Sequence, residues 1–431
     1  MSGAVAAHAA HNGSGTQGLA VTHKVSGADG DVQSVFWNKH DTTRQLVYGS
    51  SIVEIHASGN GGSLTSGAGN QIFSVNNDID ALGDLFLQIT LTGATATSGA
   101  LKANATILDI IKRVEFHVGT QVWQTLEHDD ILALNSSEMS EGAFEAYYLA
   151  ISGGTSKTGA KKPVAVVLDD GGSTRNTKHA SDAAGELTCV VKLPCFSKTI
   201  SPMLAGFANV SEGSYLLAGA PHQNVKIKVF TNATSTISAA AFSGVELKLF
   251  GKSQVMSNAE REQIKSMSMG MPKRIKTSQN HSVTTASIPS QDTITLNVDL
   301  DHFSLYASHL LIGLSELDCH IKTAELKLNS SSFSGELDGA LLTGAAADSM
   351  GLNYNQFYAT GVGLAHNYYI FPLASQAYGS SSVPLNRFDN IRLTLTIANQ
   401  RVAASVPKIS VTCVGETTAL YKNGAASLAM Y

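Results

Sequence analysis

The sequence predicts an all-β protein of two large domains and a tail, and three observations carry that reading. At 431 residues the chain exceeds what one core holds, because single hydrophobic cores stop growing near about 250 to 300 residues. Apolar and polar residues alternate with period two in short bursts bounded by Gly, Asn and Ser clusters, the pattern of strands with one face in a core. Extended helical periodicity is scarce. The connecting stretches, such as ASGNGGSLTSGAGN and SGGTSKTGAKK, are long and rich in Gly and Ser, as loops at the ends of β-sandwiches are.

In chain order, residues 1–34 are Gly, Ala, Ser and His with almost no bulky apolar side chains. They cannot offset their ordering entropy by burial and read as a flexible arm that orders only against a partner. Leu85, Leu87, Ile89 and Leu91 form one strand face. VEFHV sets Val114, Phe116 and Val118 against Glu115 and His117, and Gly119-Thr120 turns the chain into QVWQ as a hairpin. EHDDILALNSSEMSEGAFEAYYLAI then leaves the first domain as a helical or irregular excursion. Further strands are expected at 224–230, 245–250, 293–300, 324–329, 391–397 and 408–414.

SNAEREQIKSM, residues 257–267, carries the best helix signal, since Ser257 and Glu260 make a capping box. The chain thus divides into an arm (1–34), a first β domain (35–250), a connection with a short helix (251–280) and a second β domain (281–431).

Charged residues are 15% of the chain against a usual value of about 25%, so much of the surface is expected to be covered by other chains. Net charge is −5 with a pI near 6.3 and no long Lys or Arg block, which excludes the electrostatic footprint of a direct nucleic-acid ligand. Cys189, Cys195, Cys319 and Cys413 fall in no metal-binding or disulfide spacing and read as free thiols of a reducing compartment. No basic start leads into an apolar segment and no 18 uncharged apolar residues run together, so neither conventional secretion nor a spanning segment is expected. The sequons at Asn104, Asn135, Asn209, Asn232 and Asn329 carry little weight without a secretory signal. His8, His11 and His23 lie in the arm and read as solvated.

No phosphate-binding or nucleophile-elbow motif is present, which counts against most common enzymes. Glycosidases need only two carboxylates, and His128-Asp129-Asp130, Asp169-Asp170 and Asp299-Leu300-Asp301 supply such pairs. Adjacent aspartates at strand ends more often satisfy backbone and keep loops soluble. Trp123 is expected in the core rather than on a sugar. Asn386, Asp389 and Asn390 are turn-formers ahead of a strand, with Arg387 positioned to pair with Asp389.

These residues together resemble the double jelly-roll major capsid proteins of large icosahedral eukaryotic DNA viruses, the group typified by chlorella viruses and iridoviruses. PLNRFDN is similar to the family segment N-F-S-R-I-D-N that precedes a late strand, with Arg387, Asp389 and Asn390 matching, Phe388 in place of an aliphatic residue, and Pro384 and Asn386 in place of Asn and Ser. YYIFPLASQAYGSSS, DHFSLYASHLLIGL and AELKLNSSSFSGE resemble strands of the second jelly roll, with Ser330 where Gly is usual. ILDIIKRVEFHVGTQVWQTLEHDDILAL resembles a hairpin and helical excursion of the first, with Thr120 in place of the second Gly of its turn. NAEREQIKSM matches the short helix that follows the first domain.

The resemblance implies two tandem eight-stranded antiparallel jelly-roll β-sandwiches with short helices in the connections. It implies a structural protein rather than an enzyme, without cofactor or metal. It also implies homotrimers that act as pseudo-hexagonal capsomers, tiling a virion shell assembled in host cytoplasm. Expected partners are neighbouring capsomers and minor capsid or penton proteins, with contact to an internal membrane possible and direct nucleic-acid binding not expected. Arg387, Asp389 and Asn390 then fix the start of a late strand, Gly119 and Thr120 the first-domain hairpin, and the arm folds onto neighbours. The rival readings are a carbohydrate-binding β-sandwich, stacking sugars on Trp123, Tyr147, Tyr148, Tyr368 or Tyr369, and a viral adhesin, for which no fixed repeat is visible.

Overall fold

The computed structural model describes residues 49–58, 63–65, 68–75, 79–92, 107–151, 186–195, 215–217, 220–236, 244–255, 271–315, 319–354, 367–375, 377, 382–400 and 404–428. The arm, the expected helix at 257–267 and the Asp169-Asp170 pair lie outside the described residues.

The first half holds β1 (Gly49–Ile55), β2 (Ser63–Thr65), β3 (Gly69–Ser74), β4 (Ala81–Thr92), β5 (Ile111–Val118), β6 (Gln121–Glu127), α1 (His128–Glu138), α2 (Glu141–Ile151), β7 (Glu186–Leu193), β8 (Tyr215–Leu216), β9 (Val225–Thr231) and β10 (Gly244–Val255). The second holds β11 (Met271–Thr284), β12 (Thr293–Asp299), β13 (Tyr306–Leu314), β14 (Cys319–Leu328), β15 (Ser331–Ser332), β16 (Leu337–Asp338), α3 (Gly344–Met350), β17 (Asn367–Pro372), β18 (Val383–Pro384), β19 (Ile391–Asn399), β20 (Lys408–Lys422) and β21 (Ala425–Leu428). Every pairing between them is antiparallel.

The principal ladders run β1-β10-β4-β7 and β3-β9-β5-β6 in the first half, and β11-β20-β13-β17 and β12-β19-β14-β15 in the second. Ranking the principal strands of each half by chain order gives the same two sheets twice, 1-8-3-6 and 2-7-4-5. First and last strands are therefore neighbours in both halves, the connectivity of an eight-stranded jelly roll. The short strands β2, β8, β16, β18 and β21 attach to these ladders.

Alternation does most of the folding work. β9 buries Val225, Ile227 and Val229 and leaves Lys226 and Lys228 half-buried on its other face. β19 does the same with Ile391, Leu393, Leu395 and Ile397. Full burial of each such side chain is worth about 1.5 to 3 kcal/mol, so a one-residue slip in register would forfeit the whole face.

Two strands reach into the stretch expected to be a connection. β10 runs to Val255 and β11 begins at Met271, so residues 251–255 and 271–280 are ladder rather than linker. β11 hides from pattern-reading because its buried Lys276, Thr277 and Ser278 are polar.

The two sandwiches are welded along one face. One apolar cluster fills the first sandwich and continues into Ile275, Leu311, Tyr368, Ile370, Val414 and Tyr421 of the second. A separate cluster inside the second sandwich contains Leu310, Ile312, Leu393, Leu395, Val411 and Cys413. β13 and β20 thus bury both faces, one in their own core and one against the first sandwich. This explains why Ala307 to Leu314 are buried without interruption.

Candidate functional site

A dense polar network lies at this weld, around α1. The helix starts where Glu127 and Asp130 cap each other reciprocally, and the Glu127 N–H donates to Asp130 Oδ2 at 2.9 Å. Acids in a first helical turn also meet the positive end of the helix dipole. Every residue from Asp129 to Glu138 is buried, because α1 packs on β5, β6 and β7 of its own sandwich and on β13 of the other.

Asp130 Oδ1 accepts from Thr412 Oγ1 at 2.6 Å and from Asn280 Nδ2 at 2.5 Å, both across the weld. Asp129 carries Lys408 Nζ at 2.9 Å and His128 Nε2 at 2.9 Å on its carboxylate. The Tyr368 hydroxyl donates to the Asp129 carbonyl at 3.5 Å. At the far end of α1, Glu138 and Lys276 form a buried ion pair, and the Asn353 N–H donates to the Ser137 carbonyl at 2.9 Å.

Burial sets the electrostatics here. It pushes the Asp130 carboxyl up to about 6, although the Thr412, Glu127 and Asn280 hydrogen bonds pull the other way. Burial pulls Lys276 down to about 7 against the attraction of Asp84. It also holds His309 down near 3, helped by Lys276, so that ring is neutral. Burial lowers His128 and Lys408 too, but Asp129 outweighs it and both end above their ordinary values. Removing one partner from such a network leaves an uncompensated buried charge, which costs about 3 to 5 kcal/mol.

A second contact closes the weld from the other side. The β20–β21 hairpin turns at Asn423-Gly424, with φ 53° and 73°. The His222 N–H donates to the Gly424 carbonyl at 3.1 Å, and the Ala426 N–H donates to Gln223 Oε1 at 2.7 Å. A Cβ on Gly424 would lie 2.4 Å from the His222 ring.

The expected site residues sit elsewhere. Gly119 and Thr120 form the turn between β5 and β6, with Gly119 at φ 59° and its N–H donating to the Asn224 carbonyl at 2.9 Å. Arg387 is exposed at the end of a 3-10 turn over Leu385–Arg387, and among the described residues it forms no ion pair with Asp389.

Asn329 holds that joint instead. Its Oδ1 accepts the Asp389 N–H at 2.9 Å and the Asn390 N–H at 3.1 Å, while its own N–H donates to the Asn390 carbonyl at 2.8 Å. The Ile391 N–H then donates to Asp301 Oδ1 at 2.6 Å. The described carboxylates among the weighed acid–base pairs hold structural contacts: Asp129 and Asp130 in the weld, Asp301 on a strand N–H, and Asp299 paired with Arg392 at 3.0 Å.

Trp123 is 5% exposed and meets the Tyr215 ring edge-on at 5.3 Å. Tyr147, Tyr368 and Tyr369 are also buried, so these side chains offer no platform for a sugar. All four cysteines are buried, and burial pushes the Cys189 and Cys195 thiols up to about 12.

The sequence places His128-Asp129-Asp130 at the start of a helical or irregular excursion, with its aspartates satisfying nearby backbone, and gives no direct sign of the weld. Its partners are remote, 150 residues away for Asn280 and 282 for Thr412. The one local signal is the acidic, capped helix start, which implies a buried partner only once the helix is seen to be covered on all sides.

No protein-family model and no curated protein matches the chain by sequence. Solved structures do match by shape. The chain is similar to PBCV-1 VP54, seen in a crystal structure fitted into a reconstruction of the virophage Sputnik, with a TM-score of 0.66 at 12% identity, covering 92% of this chain and 100% of that one. The chain in a quasi-atomic model of the PBCV-1 capsid gives the same TM-score of 0.66. The Faustovirus major capsid protein aligns with a TM-score of 0.56 at 10% identity over 92% of both chains. With the repeated 1-8-3-6 and 2-7-4-5 sheets, these likenesses establish that the chain has the double jelly-roll fold of viral major capsid proteins.

Proposed function

We propose that the chain is a major capsid protein that forms homotrimers and tiles the icosahedral shell of a double-stranded DNA virus. The observation that carries this reading is the whole-chain match to PBCV-1 VP54, which leaves none of that structure's chain unaligned. The weld supports it. Two jelly rolls held rigidly by a shared apolar cluster and a buried charge network act as one block, and three such blocks present six barrels to a near-hexagonal lattice. Closed symmetric assembly would bury sheet edges that are otherwise aggregation hazards, and a chain with 15% charged residues suits extensive obligate interfaces.

The function on this reading is assembly, with association energy from buried apolar and edge surface summed over many copies. Neighbouring capsomers, minor capsid or penton proteins and an internal membrane are the surroundings it implies, in a virion assembled in host cytoplasm. Negative-stain electron microscopy of the purified chain tests it. Pseudo-hexagonal trimers or sheets of them are expected, and dispersed monomers under all conditions would overturn it.

A further inference from the structure

An open cleft of about 600 Å³ lies where the two sandwiches meet, with Val122 and Trp123 of β6 on one wall and Ser278 and Gln279 of β11 on the other. Among the described residues both walls are terminal strands of their sheets. A terminal strand presents main-chain N–H and C=O groups without ladder partners. The β5–β6 register shifts at Trp123, a bulge that bends this edge beside the cleft. Val122 is 47% exposed there and Leu428 is half-buried. Free strand edges together with apolar side chains suit an extended peptide, which supplies both main-chain hydrogen bonds and alternating side chains.

We propose that this cleft docks the segment around Val35-Phe36-Trp37 of a neighbouring copy of the chain. The inference rests on the capsid reading, since it needs neighbours. Residues 1–48 precede β1, and before Gln45 the only block of consecutive bulky apolar side chains is Val35-Phe36-Trp37. As a strand, the segment puts Val35 and Trp37 on one face. Charge agrees, because Lys39 follows the block and, among the described residues, Glu127 is the one carboxylate lining the cleft. The link from Trp37 to Gly49 spans about 40 Å when extended, enough for the segment to leave its own sandwich.

The test uses full-length chains. Copies carrying Val35→Cys are mixed with copies carrying Val122→Cys during assembly, and native mass confirms that the particles contain several chains before diamide is added as oxidant. The native thiols are buried and do not compete. Val190→Cys, equally exposed at 47% on β7, replaces Val122→Cys in the control mixture. An inter-chain disulfide forming roughly a hundredfold faster than in the control, as a docked segment at high effective concentration requires, supports the proposal. Equal rates, or no disulfide in assembled particles, overturn it and leave the capsid reading intact. A Val35→Cys/Val122→Cys double variant that closes only within one chain overturns the assignment to a neighbour. Monomeric mass overturns both readings at once and is recognised before any disulfide is scored.

Discussion

Asp130→Asn probes the weld with a nearly isosteric change. The Asp130 carboxyl is moved from its ordinary 3.8 to about 6 by burial, so ionising it in the folded state costs about 3 kcal/mol more than in an unfolded chain. The folded value lies above the unfolded one. The stability linked to this group is therefore fully present below about pH 3.8 and is lost as pH rises through about 6. Between pH 4 and pH 7 the wild type should lose about 2 kcal/mol relative to the variant.

A second, pH-independent effect is superimposed. Oδ1 serves Thr412 and Asn280 while Oδ2 serves the Glu127 N–H, so an asparagine that keeps the first two turns its NH2 against the third. That lost cap should cost about 1 to 2 kcal/mol at every pH. Urea denaturation of both proteins at pH 4, 5, 6 and 7, followed by tryptophan fluorescence, separates the two effects. Identical pH profiles, or a wild type that gains on the variant as pH rises, would refute the account of Asp130 as a buried, desolvated carboxyl.

Further outcomes follow from the turns and the joint. Ser330 sits at φ 68° after Asn329 at φ 48°, so Ser330→Gly should relieve left-handed strain and raise stability by about 0.5 to 1 kcal/mol in thermal melts; a loss would show that the serine is held by contacts outweighing the strain. Gly424→Ala should destabilise by more than about 2 kcal/mol, because its Cβ meets His222, and should expose the weld to proteolysis; a neutral result would mean that the hairpin does not bear on the first sandwich. Asn329→Ala should cost about 1 kcal/mol through the two exposed N–H hydrogen bonds it abandons, whereas exposed Arg387→Ala should stay within about 0.5 kcal/mol. The reverse order in melting temperature would return the joint to Arg387.

The fold was legible wherever one strand face meets an apolar core. Leu85, Leu87, Ile89 and Leu91 announce β4, and IRLTLTI announces β19, because period two survives when the opposite face is wet. It failed at β11, where Lys276 meets Glu138, Ser278 meets Gln124 and Asn280 meets Asp130 rather than an apolar core. The turn at Gly119-Thr120 was legible because left-handed backbone favours glycine. The joint at PLNRFDN was legible as a joint but not in its cause, since Asn329 lies about sixty residues upstream and holds it through main-chain N–H groups that carry no sequence signature. The weld around Asp130 needed the tertiary structure altogether.

On the capsid proposal, two welded jelly rolls make one block that assembles by threes. Native mass spectrometry of the purified chain tests it most directly. The expected result is a dominant species of three 45.1-kDa chains that persists on dilution; a 45.1-kDa monomer at every concentration and salt would contradict it.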